Sequence, residues 1–138
     1  MTIDELTEVV IGLAMTVHTA LGPGLLESIY RDCLIIELVA NDLLVESERR
    51  VPIVYRDQRI RDDLRLDLLV DRRLVVEVKA VDRLHPVHIA QVVTYLKLSG
   101  FPAGLLLNFN TTSLRAGLRR LDHPEIYAGK QRERLGIR

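Results

Sequence analysis

Two short segments that alternate apolar and polar side chains constrain the fold of this chain most. They are residues 64–70 and 74–81, and the three polar residues between them (DRR) are typical of a tight turn. The segments predict an antiparallel β-hairpin, in which alternation places Leu66 and Leu68 on one face. The two apolar faces coincide only in a register symmetric about Arg72, because a slip of one residue would turn one apolar set to the wrong face.

This register brings two carboxylates together on the other face of the hairpin. Asp67 lies directly opposite Glu77, and Arg65 lies directly opposite Lys79. Directly opposed Cβ atoms are about 4.5–5.5 Å apart, and like charges there are destabilising. Two carboxylates at that distance favour a hard cation such as Mg²⁺ or Mn²⁺, which prefers oxygen ligands. Lys79, on the same face, is placed to stabilise a developing charge or to position an attacking water.

The same charges also fit a solvated surface. Arg65 and Lys79 each lie diagonal to one of the two acids, and a chequerboard of surface charges contributes little to stability. Leu69 and Val75 lie on the charged face, which favours a face covered by helices. The spacing alone leaves both interpretations open.

The remaining periodicities predict the element order α-α-β-β-β-α-β. The predicted helices are residues 3–20, 25–40 and 86–98, and the predicted strands are residues 44–55, 64–70, 74–81 and 103–109. Pro52 suggests an edge strand or a bulge, and the pair at 57–58 suggests a turn. Beyond residue 112 the Arg-rich sequence predicts a short helix at 113–118 and a frayed tail after Pro124.

Composition excludes several classes of protein. At 138 residues the chain is expected to form one domain, and its single cysteine excludes a disulfide scaffold and a multi-cysteine zinc site. Aromatic residues make up only 4%, which argues against stacking platforms for single-stranded nucleic acid. No apolar run reaches the length of a membrane span, and the N-terminus lacks the basic residues of a signal peptide. We therefore expect a cytoplasmic protein without a membrane partner.

Charge is balanced in total and uneven along the chain. The formal net charge is 0, but residues 1–48 hold nine acids and one base, whereas residues 49–110 and 111–138 each carry an excess of four bases. Nearly all the bases are arginine, which suits bidentate contacts to phosphate. A solvated surface of mixed charge explains the same pattern, and the zero total gives no support of its own for nucleic-acid binding.

Two further polar stripes could converge on the hairpin. His88, Gln91 and Tyr95 lie on one side of the predicted third helix, and Glu27 and Tyr30 share a face near the start of the second. The first stripe also fits ordinary boundary residues. Glu27 also fits an acid in the first helical turn, where a negative charge favours the helix dipole.

Several sequence blocks, in this order, resemble the PD-(D/E)XK nuclease superfamily. They are Asp67, then EVK at 77–79, then QVVTY at 91–95, which is similar to the Q-x-x-x-Y element of its RecB-like branch. The run GLLESIY at 24–30 resembles the signature of the small bacterial GxxExxY family. The resemblance covers roughly residues 3–121, and Leu66 stands where the superfamily name has proline.

The resemblance implies a fold, a cofactor and a substrate. The fold is α/β (α+β), a restriction-endonuclease-like core with a mixed central sheet flanked by helices. Residues 1–121 would form the single nuclease-like domain, and residues 122–138 a basic C-terminal tail. The activity implied is hydrolysis of phosphodiester bonds with Mg²⁺ (or Mn²⁺), on DNA rather than RNA.

The resemblance also assigns roles to the residues. Asp67, Glu77 and the backbone carbonyl of Val78 would be metal ligands, and Glu27 resembles an extra acid that some members supply from the first core helix. Lys79 would orient the water or stabilise the phosphate. Completing the expected catalytic set, two residues of the third helix would contact the substrate or the metal shell: Gln91 and Tyr95.

Other functions remain open at this point. A non-catalytic descendant of the fold would bind nucleic acid or another protein, and a third possibility is an enzyme acting on a small phosphorylated or nucleotide substrate. The absence of a long basic arm in the sequence predicts weak intrinsic affinity for DNA, so a homodimer or a partner protein could supply the rest.

Overall fold

A computed structural model describes residues 1–136, apart from the side chains at positions 127 and 128. Its elements in chain order are α1 (Ile3–Leu21), α2 (Glu27–Ala40), β1 (Val45–Tyr55), β2 (Gln58–Val70), β3 (Leu74–Lys79), α3 (Pro86–Ser99), β4 (Ala103–Asn108), a 3-10 turn (Leu114–Gly117), β5 (Leu118–Asp122) and α4 (Pro124–Arg134). The predicted order is confirmed through β4. The expected frayed tail is wrong over residues 124–134, which form a helix; residues 137 and 138 lie outside the described part of the chain.

The five strands form one mixed sheet in the order β1-β2-β3-β4-β5. β3 and β4 pair in parallel, and the other neighbours pair antiparallel. Parallel neighbours need a crossover, and α3 supplies it between β3 and β4. The predicted fold class, a mixed sheet flanked by helices, is confirmed.

The sheet is covered on both faces. One buried cluster joins α1 and α2 to the sheet through residues that include Leu6, Leu34 and Leu68. A smaller cluster forms where Leu96 of α3 packs on the opposite face; its other buried members are Val51, Leu66, Leu69 and Val75. The expectation that helices also cover the charged face of the hairpin is therefore confirmed.

β5 was missed in the sequence because it lacks apolar alternation. It pairs antiparallel with β4, from Leu107↔Leu118 to Ala103↔Asp122, so the sheet continues one residue past the expected domain end at 121. Its polar side chains find partners in the fold: Arg120 donates to Asp4 at 2.6 Å. Pairing to a buried neighbour, which is a tertiary effect, makes this segment a strand.

The β1–β2 hairpin is longer than predicted. β2 begins at Gln58 rather than at residue 64, and the turn is centred on Arg56 and Asp57. The register shifts on either side of Ile53 and next to Pro52, and β1 is an edge strand, as proline suggested. Among the described residues, no helix combines the length and apolarity needed to cross a lipid bilayer.

The start of α2 is fixed by a loop that depends on Tyr30. Its hydroxyl donates to the carbonyl of Gly22 at 2.5 Å and accepts from the N–H of Leu25 at 3.1 Å. Its ring stacks on Phe109, with centroids 4.7 Å apart. Gly22 has φ of 68°, a conformation that side chains rarely adopt. Tyr30 is thus a structural residue that positions Glu27 at the first turn of α2.

Candidate active site

The two strands that carry the acids pair at one end and separate at the other. The observed pairs are Leu68↔Val76, Leu69↔Val75 and Val70↔Leu74, which confirms the register symmetric about Arg72. The ladder ends there, so the acids do not form the expected directly opposed pair of a continuous hairpin. β3 continues beside β4 as far as Lys79. At Asp67, β2 therefore separates from β3, although it stays paired with β1.

The separation follows from a break in alternation at Asp67. Leu68 packs with the cluster beneath α1 and α2, whereas Leu66 packs with Leu69 beneath α3. The expectation that Leu66 and Leu68 share a face is therefore wrong. In β1, which pairs with the other edge of β2, Glu48 has φ of 52°, so the backbone is also distorted beside Asp67. Two buried leucines on opposite faces thus turn β2 and leave the β3 backbone at this point without ladder partners in β2.

Each acid bonds to the backbone of the other acid's strand. The N–H of Asp67 donates to Oε1 of Glu77 at 3.1 Å, and the N–H of Val78 donates to Oδ2 of Asp67 at 2.9 Å. These two bonds replace the missing ladder. They hold the two carboxylates next to each other, as the sequence predicted, through a different geometry.

The carbonyl of Val78 points into the same opening. The N–H and C=O of one strand residue project to the same side, and the Val78 N–H is directed at Asp67 on the β2 side. Its carbonyl therefore faces the gap left by β2. This orientation agrees with its expected role as a backbone ligand.

Glu77 is the most strongly perturbed acid in the site. It is 6% exposed. Burial and the neighbouring charge of Asp67 raise its pKa to about 8, while the backbone bond from Asp67 and the Lys79 ammonium act in the opposite direction. Near neutral pH the pair therefore holds a proton or needs a cation, which is typical of functional carboxylates.

Lys79 and Arg65 do not oppose each other. Lys79 pairs with Asn108 of β4, and Arg65 lies opposite Arg50 of β1 and contacts Glu48 at 3.4 Å. The expected Arg65–Lys79 pair is wrong because the ladder ends before either residue. Lys79 is nevertheless close enough to Glu77 to lower its pKa, so it stays beside the acids.

Arg31 of α2 is a site residue that the sequence analysis missed. Its guanidinium lies 3.4 Å from Oδ1 of Asp67, and both side chains are partly exposed. It is the only base in the first 48 residues and lies one turn after Glu27, on the same face of the helix. That isolated charge was the available signal.

The charges of the two acids act on Tyr95, whereas Gln91 is exposed. Burial raises the pKa of Tyr95, and the charges of Glu77 and Asp67 raise it further, which places the phenol in their field. Gln91, one turn earlier on α3, is exposed. His88 accepts from the N–H of His85 at 3.0 Å and caps α3, which agrees with the interpretation of His88 as an ordinary boundary residue.

Asn108 is a second residue without a predicted role. Its side chain accepts from the N–H of Val81 at 3.0 Å and donates to the carbonyl of Val81 at 2.9 Å. It is buried at the end of β4, beside Lys79. The amide therefore fixes the chain just after Lys79, a role that no spacing pattern reveals.

The donor set fits a hard divalent cation in part. Two carboxylates and the Val78 carbonyl are oxygen donors around one opening, and the excess negative charge of Asp67 and Glu77 favours a cation there. Among residues 1–136, no three His, Cys, Asp or Glu side chains gather into a metal-binding group. Glu27 is half-buried on α2 and stands outside the pair, so its role as a further ligand stays a prediction.

Comparison with known proteins gives one result that bears on identity. Searches of curated proteins and of solved structures give no match. A model of the PD-(D/E)XK nuclease superfamily matches residues 4–121, which include α1 through most of β5. The matched region holds the paired acids, Lys79 and the α3 residues beside them. By this match and by its mixed sheet flanked by helices, the chain belongs to the PD-(D/E)XK nuclease superfamily.

Proposed function

We propose that this chain is a metal-dependent nuclease that hydrolyses phosphodiester bonds in DNA, and that it is of the GxxExxY type. One observation carries the proposal: Asp67 and Glu77 are held together by each other's strands, beside Lys79, where two strands of the sheet separate. Membership of the nuclease superfamily supports the reaction class. DNA as the substrate and Mg²⁺ (or Mn²⁺) as the ion belong to the proposal.

The acids and one backbone group would hold the ion. Asp67, Glu77 and the carbonyl of Val78 are the proposed ligands, with Glu27 as a further one. When bound, a divalent ion polarises the scissile phosphate and lowers the pKa of a water molecule. The Glu77 carboxyl must release its proton to take this role, because its pKa lies near 8 without a cation.

The other side chains act on the substrate. Lys79 neutralises charge that builds on the phosphate and orients the attacking water. Tyr95 and Gln91, one turn apart on the same face of α3, would contact the nucleic-acid backbone beside the acids. Arg31 holds Asp67 and is placed to contact a phosphate when released from it.

The test is cleavage of labelled DNA with Mg²⁺ or Mn²⁺, on duplex, single-stranded, branched and RNA substrates. Asp67→Ala, Glu77→Ala and Lys79→Ala should each reduce cleavage by about 100-fold or more. Asp62→Ala is the matched control, because it removes an exposed acid on β2 outside the site and should leave cleavage unchanged. Circular dichroism checks that every variant is folded.

The alternatives give different results in the same experiments. Unchanged cleavage by the Lys79 variant would mean that the activity is a contaminant or uses another site. A non-catalytic module would bind nucleic acid or protein without taking up Mn²⁺, which calorimetric titration measures. Hydrolysis of nucleotides without cleavage of DNA would favour the small-substrate enzyme. A homodimer, a partner protein, a cytoplasmic location and the domain boundary at 121 stay predictions.

A further inference from the structure

Exposed apolar side chains are concentrated in the first third of the chain. Among the residues that the structure describes, fifteen large apolar or aromatic side chains are exposed, and nine of them lie within residues 1–44. These residues form α1, the loop after it, α2 and the turn before β1. Single exposed apolar residues are common on protein surfaces, whereas a group of them marks a binding surface. The layer formed by α1 and α2 therefore has the composition of such a surface.

α2 carries apolar side chains on two opposite sides. Leu34 and Leu38 are fully buried in the cluster between the helices and the sheet. On the outer side, Ile29 is 38% exposed and Ile36 is 66% exposed. Half-buried Cys33 lies between them at a spacing of four and three residues, so the three share one stripe of the helix. A helix that is apolar on opposite sides is typical of an element covered on both.

A groove lies between this outer stripe and α1. Its cavity of about 180 Å³ is lined by Val17 and Leu21 from α1 and by Cys33 and Ile36 from α2, and Glu37 is the one charged residue in the lining. This space equals about six water molecules at about 30 Å³ each, which is enough for one large side chain. Walls that are mostly apolar offer water few partners, so an apolar side chain fits this α1–α2 groove better.

The charges beside the α1–α2 groove are acidic. Residues 1–44 contain seven aspartates and glutamates and one arginine, with no lysine. That arginine, Arg31, is directed at Asp67 of β2. Asp32 lies beside the outer stripe by helical period, and neither Asp32 nor Glu37 forms an ion pair within the described part of the chain. Their negative charge complements a basic partner.

The bases of later elements approach α1 on a different side. Arg115 lines a second cavity with Glu8 and Met15, and Arg120 donates to Asp4 at 2.6 Å. By helical period, positions 4, 8 and 15 share one stripe of α1, whereas the groove residues of α1 lie on another. These arginines therefore do not neutralise the acids beside the groove.

We propose that the α1–α2 groove binds an amphipathic helix of a partner protein. Apolar residues of that helix, spaced by three and four, fill the groove, and lysine or arginine residues beside them pair with Asp32 and Glu37. A second copy of this chain placed face to face would bring like acids together, and an anionic lipid surface would be repelled in the same way. The inference goes beyond the proposed function and does not depend on it.

The experiment uses the full chain and two synthetic peptides. Both are helical peptides of about 18 residues built from alanine with leucine at i, i+3, i+4 and i+7; one has lysine beside the leucines and the other has glutamate. Anisotropy of the labelled peptide measures affinity. The rate at which iodoacetamide alkylates Cys33, the one cysteine of the chain, measures whether the groove itself is occupied.

The apolar contact is tested with matched double variants. The groove variant combines Ile29→Ser and Ile36→Ser, and the control combines Ile60→Ser and Val87→Ser, which are exposed apolar residues on β2 and α3. The lysine peptide should bind the groove variant at least about tenfold more weakly than the native chain, and the control within about twofold. At ten times its Kd, the lysine peptide should slow alkylation of Cys33 by about tenfold, because only the free groove reacts.

The charge contact is tested separately. Asp32→Asn with Glu37→Gln should weaken binding of the lysine peptide by about threefold or more and reduce its salt dependence. Asp57→Asn with Asp62→Asn removes two exposed acids elsewhere and should leave binding within about twofold. The glutamate peptide should bind the native chain more weakly than the lysine peptide.

Several outcomes would overturn the proposal. They are equal binding of the two peptides, alkylation of Cys33 that no peptide slows, and equal losses in the groove variant and its control. A dimer in sedimentation that the groove variant loses would assign the groove to a second copy instead. Binding to phosphatidylglycerol vesicles that the groove variant loses would assign it to a membrane. No DNA is present, so failure here leaves the nuclease proposal standing, and a chain that cleaves nothing leaves the groove standing.

Discussion

The two ends of the β2–β3 pair are built from the same two strands and behave differently. At one end, three residue pairs form a regular ladder between two buried clusters. At the other end, starting at Asp67, the strands separate and carboxylates take the place of the backbone carbonyls. In the ladder, the backbone N–H and C=O groups of the two strands pair with each other. Where the carboxylates of Asp67 and Glu77 take over as acceptors, they leave negative charge that a ligand can neutralise. The comparison shows how one hairpin supplies both core and site.

The largest expected change in the free energy of unfolding comes from a substitution at the paired end of β2 and β3, outside the two acids. Leu68 is fully buried, so Leu68→Ala should lower the free energy of unfolding by about 3 kcal/mol. Its neighbour Asp67 is partly exposed and beside a like charge, so Asp67→Asn should change it by less than about 1 kcal/mol. Urea unfolding in EDTA measures both. Equal losses would mean that the separated end supports the fold as the ladder does.

The next effect concerns the charge stored at the separated end. The folded pKa of Glu77, about 8, lies above its ordinary value of 4.5, so the folded chain binds more protons than the unfolded chain between these limits. Stability from this group is therefore present below pH 4.5 and lost as the pH rises through 8. Glu77→Gln removes this loss and should stabilise the chain by about 2 kcal/mol at high pH in EDTA.

Thermal or urea unfolding across the pH range checks this prediction. The difference between Glu77→Gln and the native chain should grow with pH and level off above about 8. Glu48→Gln, an exposed acid of β1, is the control and should show no such growth. A difference that does not depend on pH would show that Glu77 is not protonated in the folded chain.

The smallest expected effect is a change in metal affinity on removal of the Arg31 guanidinium, which forms an ion pair with Asp67. A partly exposed ion pair contributes less than about 1 kcal/mol, and the positive charge of Arg31 beside Asp67 opposes a cation at the acids. Arg31→Gln should therefore raise the affinity for Mn²⁺ by about threefold in calorimetric titration. Arg65→Gln removes the same charge from an arginine that pairs with Glu48 instead, and it should change the affinity less. Equal gains would indicate a long-range charge effect.

Much of the site could be predicted from local pattern. Asp67 and Glu77 were paired through the register about Arg72, which depends only on alternation and the turn. Tyr95 was placed by helical periodicity. The register at the turn is confirmed because alternation is a property of the local backbone. The roles of the acids and of Tyr95 in a site stay predictions.

Other parts depended on contacts between distant segments. Arg31 reaches Asp67 across 36 positions, and Asn108 reaches Val81 across 27, so no spacing within one element reveals either contact. β5 lacks the alternation of a strand and forms because β4 offers it an edge. The break at Asp67 arises because Leu66 is drawn to the cluster beneath α3.

The sequence by itself determined the register at the turn between β2 and β3 and the order of the elements through β4, because alternation and helical period are local properties of the backbone. The roles of the two acids and the lysine stay predictions. Only the tertiary structure decided how the acids meet: packing on both faces of the sheet pulls β2 away from β3 and leaves backbone N–H groups for the carboxylates. The physical reason is that burial of apolar side chains is a property of the whole domain, and it outweighs the local preference for a continuous ladder.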